Sequence, residues 1–119
     1  MKKTDFTNAT KDYFSNYLPN ARGLSQNTID SYRDTLKLLL IYFSDCQKIE
    51  AENIKIAHLT LENISGFLDW LETNRHVGIS TRNQRQAAIQ AFVKYIRYRY
   101  PEYLSNYYDI LSMKAKKKP

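Results

Sequence analysis

Cys46 is the only cysteine among 119 residues, so no disulfide can form within the chain. A lone cysteine fits a reducing compartment, and a cytoplasmic protein is expected. The plainest role for Cys46 is that of a small buried apolar group near a helix end. Glycine and proline are scarce, three of each. A β-sandwich needs many tight turns, so this scarcity disfavours one and favours long helices. No apolar run approaches the roughly 18 residues needed to span a bilayer. The N-terminus, Met1-Lys2-Lys3-Thr4-Asp5, has no apolar stretch behind it, so no secretory signal is expected. His58, His76 and Cys46 are too scattered to make a metal site. The glycines are too far apart to form a phosphate-cradling loop. Neither metal nor cofactor is expected.

What is present is a globular composition, 43% hydrophobic, in a chain of one domain's length. The formal net charge is +6, with a pI near 9.4. Its distribution says more than its sum. From Asp45 to Glu72 stand the acids Asp45, Glu50, Glu52, Glu62, Asp69 and Glu72 against the bases Lys48 and Lys55. From Thr73 to Pro101 stand Arg75, Arg82, Arg85, Lys94, Arg97 and Arg99, with no acid. A helix facing only water usually mixes signs to gain i,i+4 pairs. A run of one sign makes sense where the field itself is useful, as on a face that meets phosphates.

Hydrophobic spacing marks five helical segments. The first runs from about Thr7 to Leu18, with Phe6, Tyr13, Phe14, Tyr17 and Leu18 as its apolar set, and Pro19 to Gly23 breaks it. Ser25 fits an N-cap for a second helix, Gln26 to Asp45, with Ile29, Tyr32, Leu36, Leu39, Leu40 and Phe43 inward. Asn53-Ile54-Lys55-Ile56 is too brief and isolated for a paired strand. Thr60 caps a third helix, Leu61 to Asn74, with Ile64, Phe67, Leu68 and Leu71 inward and Trp70 flanking. Ser80 or Thr81 caps a fourth, ending near Arg99, and Pro101 opens a short fifth to Met113.

The fourth helix rewards a closer look. At about 100° per residue, Ile89, Val93 and Ile96 share one side with Phe92 adjacent. The opposite side carries Ser80, Gln84, Ala87, Ala91 and Tyr98, with Asn83, Gln90 and Lys94 along one flank. Such a face suits a major groove. Ser, Asn and Gln hydrogen-bond base edges, small Ala side chains permit close approach, and marginal bases meet phosphates.

Two segments carry a family resemblance. One is Leu18-Pro19-Asn20-Ala21-Arg22-Gly23-Leu24-Ser25-Gln26-Asn27-Thr28-Ile29-Asp30-Ser31-Tyr32-Arg33-Asp34-Thr35-Leu36. The other is Gly78-Ile79-Ser80-Thr81-Arg82-Asn83-Gln84-Arg85-Gln86-Ala87-Ala88-Ile89-Gln90-Ala91-Phe92. Together they resemble the N-terminal core-binding domain of tyrosine recombinases, the phage-integrase family that includes Xer-type enzymes. The resemblance runs from about Phe6 to Met113. It implies an all-α, SAM-like bundle of four to five helices over residues 1–113. Residues 114–119 would be a basic, exposed and flexible linker toward a C-terminal catalytic domain. The implied partner is double-stranded DNA, clamped between the two domains, with the second and fourth helices near the major groove. The contact candidates it implies are Ser25, Asn27, Thr28, Ser31 and Arg33 on the second helix. On the fourth they are Ser80, Thr81, Asn83, Gln84 and Arg85, to which Lys94 is added from the flank. Gln86 departs from the pattern, since many relatives have an apolar residue there, and is expected at the edge of the core.

Tyrosine recombinases cleave DNA with a tyrosine nucleophile and an Arg/Lys/His constellation that includes H-x-x-R. Here Leu61 and Ile79 stand three residues after His58 and His76, so the recognisable motif is absent. No catalytic residue is therefore named, and none of the ten tyrosines is a candidate nucleophile. The expected entity is the DNA-binding part of a recombinase that acts as a tetramer on DNA, itself monomeric. The alternative is a helical protein–protein interaction module without DNA affinity.

Overall fold

Long amphipathic segments with few breakers form helices, and the described residues contain five α-helices and no strand. The computed structural model describes residues 3–117; Met1, Lys2, Lys118 and Pro119, which belong to the two terminal segments read above, lie outside them. The all-helical expectation holds. The chain divides into two compact units, Met1–Ile56 and Ala57–Pro119.

In the first unit, α1 (Asp5–Asp12) starts two residues earlier than the hydrophobic spacing suggests. The reason is Thr4, whose Oγ1 accepts from the Thr7 N–H at 3.2 Å and so caps the helix. The same hydroxyl donates to the Ile54 carbonyl at 2.6 Å, and Asp5 Oδ1 accepts from the Ile56 N–H at 2.8 Å. This double clip fixes the stretch with Ile54 and Ile56, both fully buried, against the start of α1. Ala51–Asn53 and Ile56–His58 are single 3₁₀ turns, so the connection is indeed no strand.

Past Asp12 the helix widens into a π turn, Tyr13–Tyr17, closed by the Leu18 N–H on the Tyr13 carbonyl at 2.9 Å. Tyr13 and Leu18 are buried, whereas Tyr17 remains exposed. Gly23, at φ 79°, takes the left-handed turn that leads into the next helix. That helix, α2 (Gln26–Gln47), is capped by Ser25 as expected and buries Ile29, Leu36, Leu39, Tyr42 and Phe43. Cys46 is exposed, contrary to the buried role expected of it. The last turn of α2, from Asp45 to Lys48, is exposed at every position, so no core remains for the thiol to enter.

In the second unit, α3 (Leu61–Asn74) is capped by Thr60 and buries Ile64, Phe67, Leu68 and Leu71, as the spacing predicts, and also the flanking Trp70. Left-handed His76, at φ 57°, ends it, with the Val77 N–H bonded back to the Leu71 carbonyl at 3.2 Å. This tight exit starts α4 (Ile79–Arg99) directly after Gly78. The cap expected at Ser80 or Thr81 is therefore not formed; both lie inside the first turn, and Gly78 offers no side chain to replace them. A 3₁₀ turn, Pro101–Tyr103, leads to α5 (Leu104–Leu111). Tyr107, buried on α5, donates to the Tyr100 carbonyl at 2.7 Å and fixes that corner. Helices α3, α4 and α5 pack on one another around Phe67, Leu71, Phe92, Val93, Ile96 and Ile110.

An ionic junction ties α3 to α4. Arg82 Nη1 lies 2.8 Å from Asp69 Oδ1 and 3.0 Å from Glu72 Oε2, and its side chain is only 12% exposed. Part of the charge contrast between the two sequence segments is thus cancelled between neighbouring helices.

Two substitutions test these anchors. Thr4→Ala removes both the cap and the tether to Ile54, and should lower unfolding free energy by about 1–2 kcal/mol in urea titration. Arg82→Ala leaves Asp69 and Glu72 without their shared cation, and should cost about 1–3 kcal/mol. The exposed Gln84→Ala should stay within about 0.5 kcal/mol of wild type.

Candidate nucleic-acid interface

Helix α4 buries one whole side. Gln86, Ala88, Ile89, Phe92, Val93, Tyr95 and Ile96 are all buried, a wider set than Ile89, Val93, Ile96 and Phe92 alone. Opposite lies a narrow strip of exposed Ser80, Gln84, Ala87, Lys94 and Tyr98, with Ala91 half-buried among them; Arg99, at the end of the helix, is exposed as well. The strip is polar at one end, small in the middle, and ends in Tyr98, 78% exposed. Helix periodicity alone placed these residues outward, and the structure leaves them there.

The flank is another matter. Asn83, Gln86 and Gln90 form a ladder of amides that binds the segment after α5. Gln90 Nε2 donates to the carbonyls of Ile110 and Met113, each at 3.1 Å, and Gln86 Nε2 donates to Met113 at 3.3 Å. Asn83 pairs in both directions with the main chain of Lys116: its Nδ2 donates to the carbonyl at 3.0 Å, and its Oδ1 accepts from the N–H at 2.9 Å. Lys116 Nζ reaches Glu72 Oε2 at 3.1 Å. Residues 114–117 are exposed, as expected of the tail, but residues 113–116 are held along α4. Gln86 is 4% exposed, at the edge of the core, and its amide is spent on Met113.

The remaining fourth-helix candidates divide accordingly. Ser80, Gln84 and Lys94 are exposed, Thr81 and Arg85 are half-buried, and Asn83 is half-buried and engaged by Lys116. Lys94 makes no hydrogen bond or ion pair among the described residues. Three other bases lean on aromatic faces. Arg75 lies 5.7 Å from the Trp70 ring centre, Arg97 lies 4.9 Å from that of Tyr98, and Arg99 lies 5.0 Å from that of Tyr95. Such stacking keeps the positive charge while orienting the guanidinium group.

On α2 the candidates do not share one face. Ser25 Oγ accepts from the Thr28 N–H at 3.1 Å and meets Thr28 Oγ1 at 3.0 Å, so both hydroxyls serve the helix start. Asn27 is exposed beside them, and Ser31 is half-buried, its carbonyl accepting from Thr35 Oγ1 at 2.9 Å. Two residues beyond Ser31, Arg33 lies about 160° around the helix. It sits 5.2 Å from the Phe14 ring centre and 3.4 Å from Asp30 Oδ1, at the rim of an apolar cleft of ≈ 490 Å³ lined by Phe6, Phe14, Leu36 and Leu40. The structure thus groups Ser25, Asn27, Thr28 and Ser31, and sets Arg33 apart.

Sequence reasoning missed the Arg82 junction and the amide ladder. The signal for Arg82 was present, since it stands seven residues before Ile89, which stands seven before Ile96. Near-integral turns place all three on one side. The same spacing joins Asn83 to Gln90. The partner of that amide row, a segment some two dozen residues downstream, leaves no comparable periodic mark. Among the described residues no group of His, Cys, Asp and Glu is placed to hold a metal ion. No helix among them is long and apolar enough to cross a membrane.

Known proteins resemble most of the chain. The family model described as phage integrase, N-terminal SAM-like domain, matches residues 12–99. Two Sinorhizobium fredii (strain NBRC 101917 / NGR234) proteins that carry the provisional name integrase/recombinase are similar to the chain. One, y4rC, is 28% identical over 90% of this chain and 32% of its own length. The other, y4rD, is 33% identical over 72% of this chain and 31% of its own. The chain therefore spans about a third of the length of these relatives. No solved structure matches it significantly. With a match that takes in the whole of α2, α3 and α4, the chain belongs to the phage integrase N-terminal SAM-like domain family.

Proposed function

We propose that this chain is the DNA-binding part of a site-specific tyrosine recombinase, and that it meets duplex DNA through the exposed strip of α4. The observation that carries this reading is the strip itself. Ser80 and Gln84 offer hydrogen-bonding groups at the start of the helix, Ala87 and Ala91 leave room for close approach, and Lys94 is an unengaged cation. These features suit a helix that lies in a major groove, with Ser80 and Gln84 toward base edges and Lys94 toward a phosphate. Asn27, exposed near the N-terminus of α2, is the best-placed contact of the first unit. Ser25, Thr28 and Ser31 support that turn, with Thr81 and Arg85 beside the α4 strip. Arg33 belongs to the proposal only as a contributor to the positive field.

Family membership supports the parent activity, cleavage and rejoining of DNA strands by a tetramer on its site. That chemistry would lie outside the roughly one third of the relatives' length that this chain spans. The chain's part is to bind and position the duplex.

A second reading rests on Leu104 and Tyr108, four residues apart on α5 and 55% and 72% exposed. They form an apolar pair suited to a protein neighbour. Sedimentation velocity decides its weight: self-association abolished by Leu104→Ser with Tyr108→Ser supports it, and a monomer at all concentrations removes it.

Fluorescence anisotropy with a labelled duplex tests the main reading. Binding should weaken steeply as salt rises, because each neutralised phosphate releases counterions. Lys94→Ala should lower affinity on every duplex and reduce the slope of log K against log salt by about 1. Gln84→Ala should weaken binding by about 1–3 kcal/mol on the preferred sequence and less on others. No binding at low salt, or an equal loss from Lys48→Ala with Lys55→Ala, overturns the assignment.

A further inference from the structure

Residues 113–116 rest on the residues that border the proposed DNA strip. Four observations meet there. Asn83, on the flank of α4, has both polar atoms of its amide occupied by the Lys116 main chain. Gln86 and Gln90 hold the Met113 carbonyl. Glu72 accepts from Lys116 Nζ through both carboxylate oxygens, at 3.2 and 3.1 Å, while also accepting from Arg82. Lys114, Lys116 and Lys117 all remain exposed, so the segment is bound at one edge and open to water on the other.

The energies at the two ends differ in kind. Gln86 is almost fully buried, and its bond to Met113 is partly buried and backed by a second one from Gln90. Lys116 is half exposed, at 50%, and its ion pair with the partly exposed Glu72 is the sort that water and salt weaken readily. The segment is thus anchored firmly at Met113 and lightly at Lys116. A phosphate is a stronger attractor for a lysine than a single, shared carboxylate that already serves Arg82. Moving Lys116 from Glu72 to a phosphate would also return the Asn83 amide to the surface beside Gln84, where a base edge could take it.

We propose that residues 114–117 are a displaceable strap. In the free protein Glu72 latches it over Asn83; on duplex DNA it releases, Lys116 pairs with the phosphate backbone, and Asn83 joins the contact surface. Glu72 is then a positioning residue that restrains DNA binding without touching DNA. This inference rests on the DNA-binding reading and assigns its regulation.

Amide hydrogen exchange and anisotropy test it together. In the free wild-type protein the Lys116 amide is protected by Asn83, and saturation with duplex should remove that protection. Glu72→Gln keeps the shape of the side chain but loses its charge. It should speed Lys116 exchange in the free protein and tighten low-salt duplex binding by roughly two- to five-fold, the scale of one exposed ion pair. Persistent Lys116 protection in the wild-type complex overturns the strap, and this reading does not depend on any variant folding. Unchanged or weaker binding by Glu72→Gln overturns the latch while leaving the DNA-binding reading intact. A wild-type protein that binds no duplex at low salt overturns that reading, and the strap's destination falls with it.

Discussion

Helix α4 gives one whole side to the interior. Seven of its positions from Gln86 to Ile96 are buried, and Arg82 turns toward the acids of α3. A helix so committed can offer a partner only a narrow strip, so burial decides which side chains remain available for recognition. Ser80, Gln84, Ala87, Lys94, Tyr98 and the terminal Arg99 are what burial leaves exposed. The interior contacts also make that strip a rigid edge. A recognition surface built on a packed helix loses little freedom on binding, which is the condition for specific contact with a regular partner such as a duplex.

Charge plays a double part. The run of bases from Arg75 to Arg99 reads as a field directed outward, yet Arg82 spends its charge within the fold on Asp69 and Glu72. The stacked arginines Arg75, Arg97 and Arg99 keep theirs, as does Lys94. The acid-rich segment before α4 is therefore a structural counterpart to it as well as a contrast. Glu72 is the point where the two uses meet, because it holds Arg82 for the fold and Lys116 for the tail.

Much of this was legible in the sequence. The inward sets of α3 and of the middle of α4 follow from spacing, and Ser25 and Thr60 cap their helices as their chemistry requires. The outward strip of α4 follows from the same arithmetic. What spacing missed depends on tertiary partners. The clip from Thr4 to Ile54 pulls α1 two residues toward the N-terminus, and the left-handed turn at His76 starts α4 before its expected cap. Cys46 looked like a core residue by type, but the end of α2 outruns its core. Asn83 looked like a base reader because an outward amide is one, and only the fold reveals the Lys116 main chain already bound to it.

Family membership and the exposed strip both support the proposal that this domain grips duplex DNA. The most direct test is backbone ¹H–¹⁵N NMR of the protein titrated with a duplex. The account predicts shift changes concentrated at Ser80, Gln84, Ala87, Ala91 and Lys94, with Asn27 and the Lys116 region following. Changes confined to the acidic outer positions of α3, or to α5 alone, would contradict it.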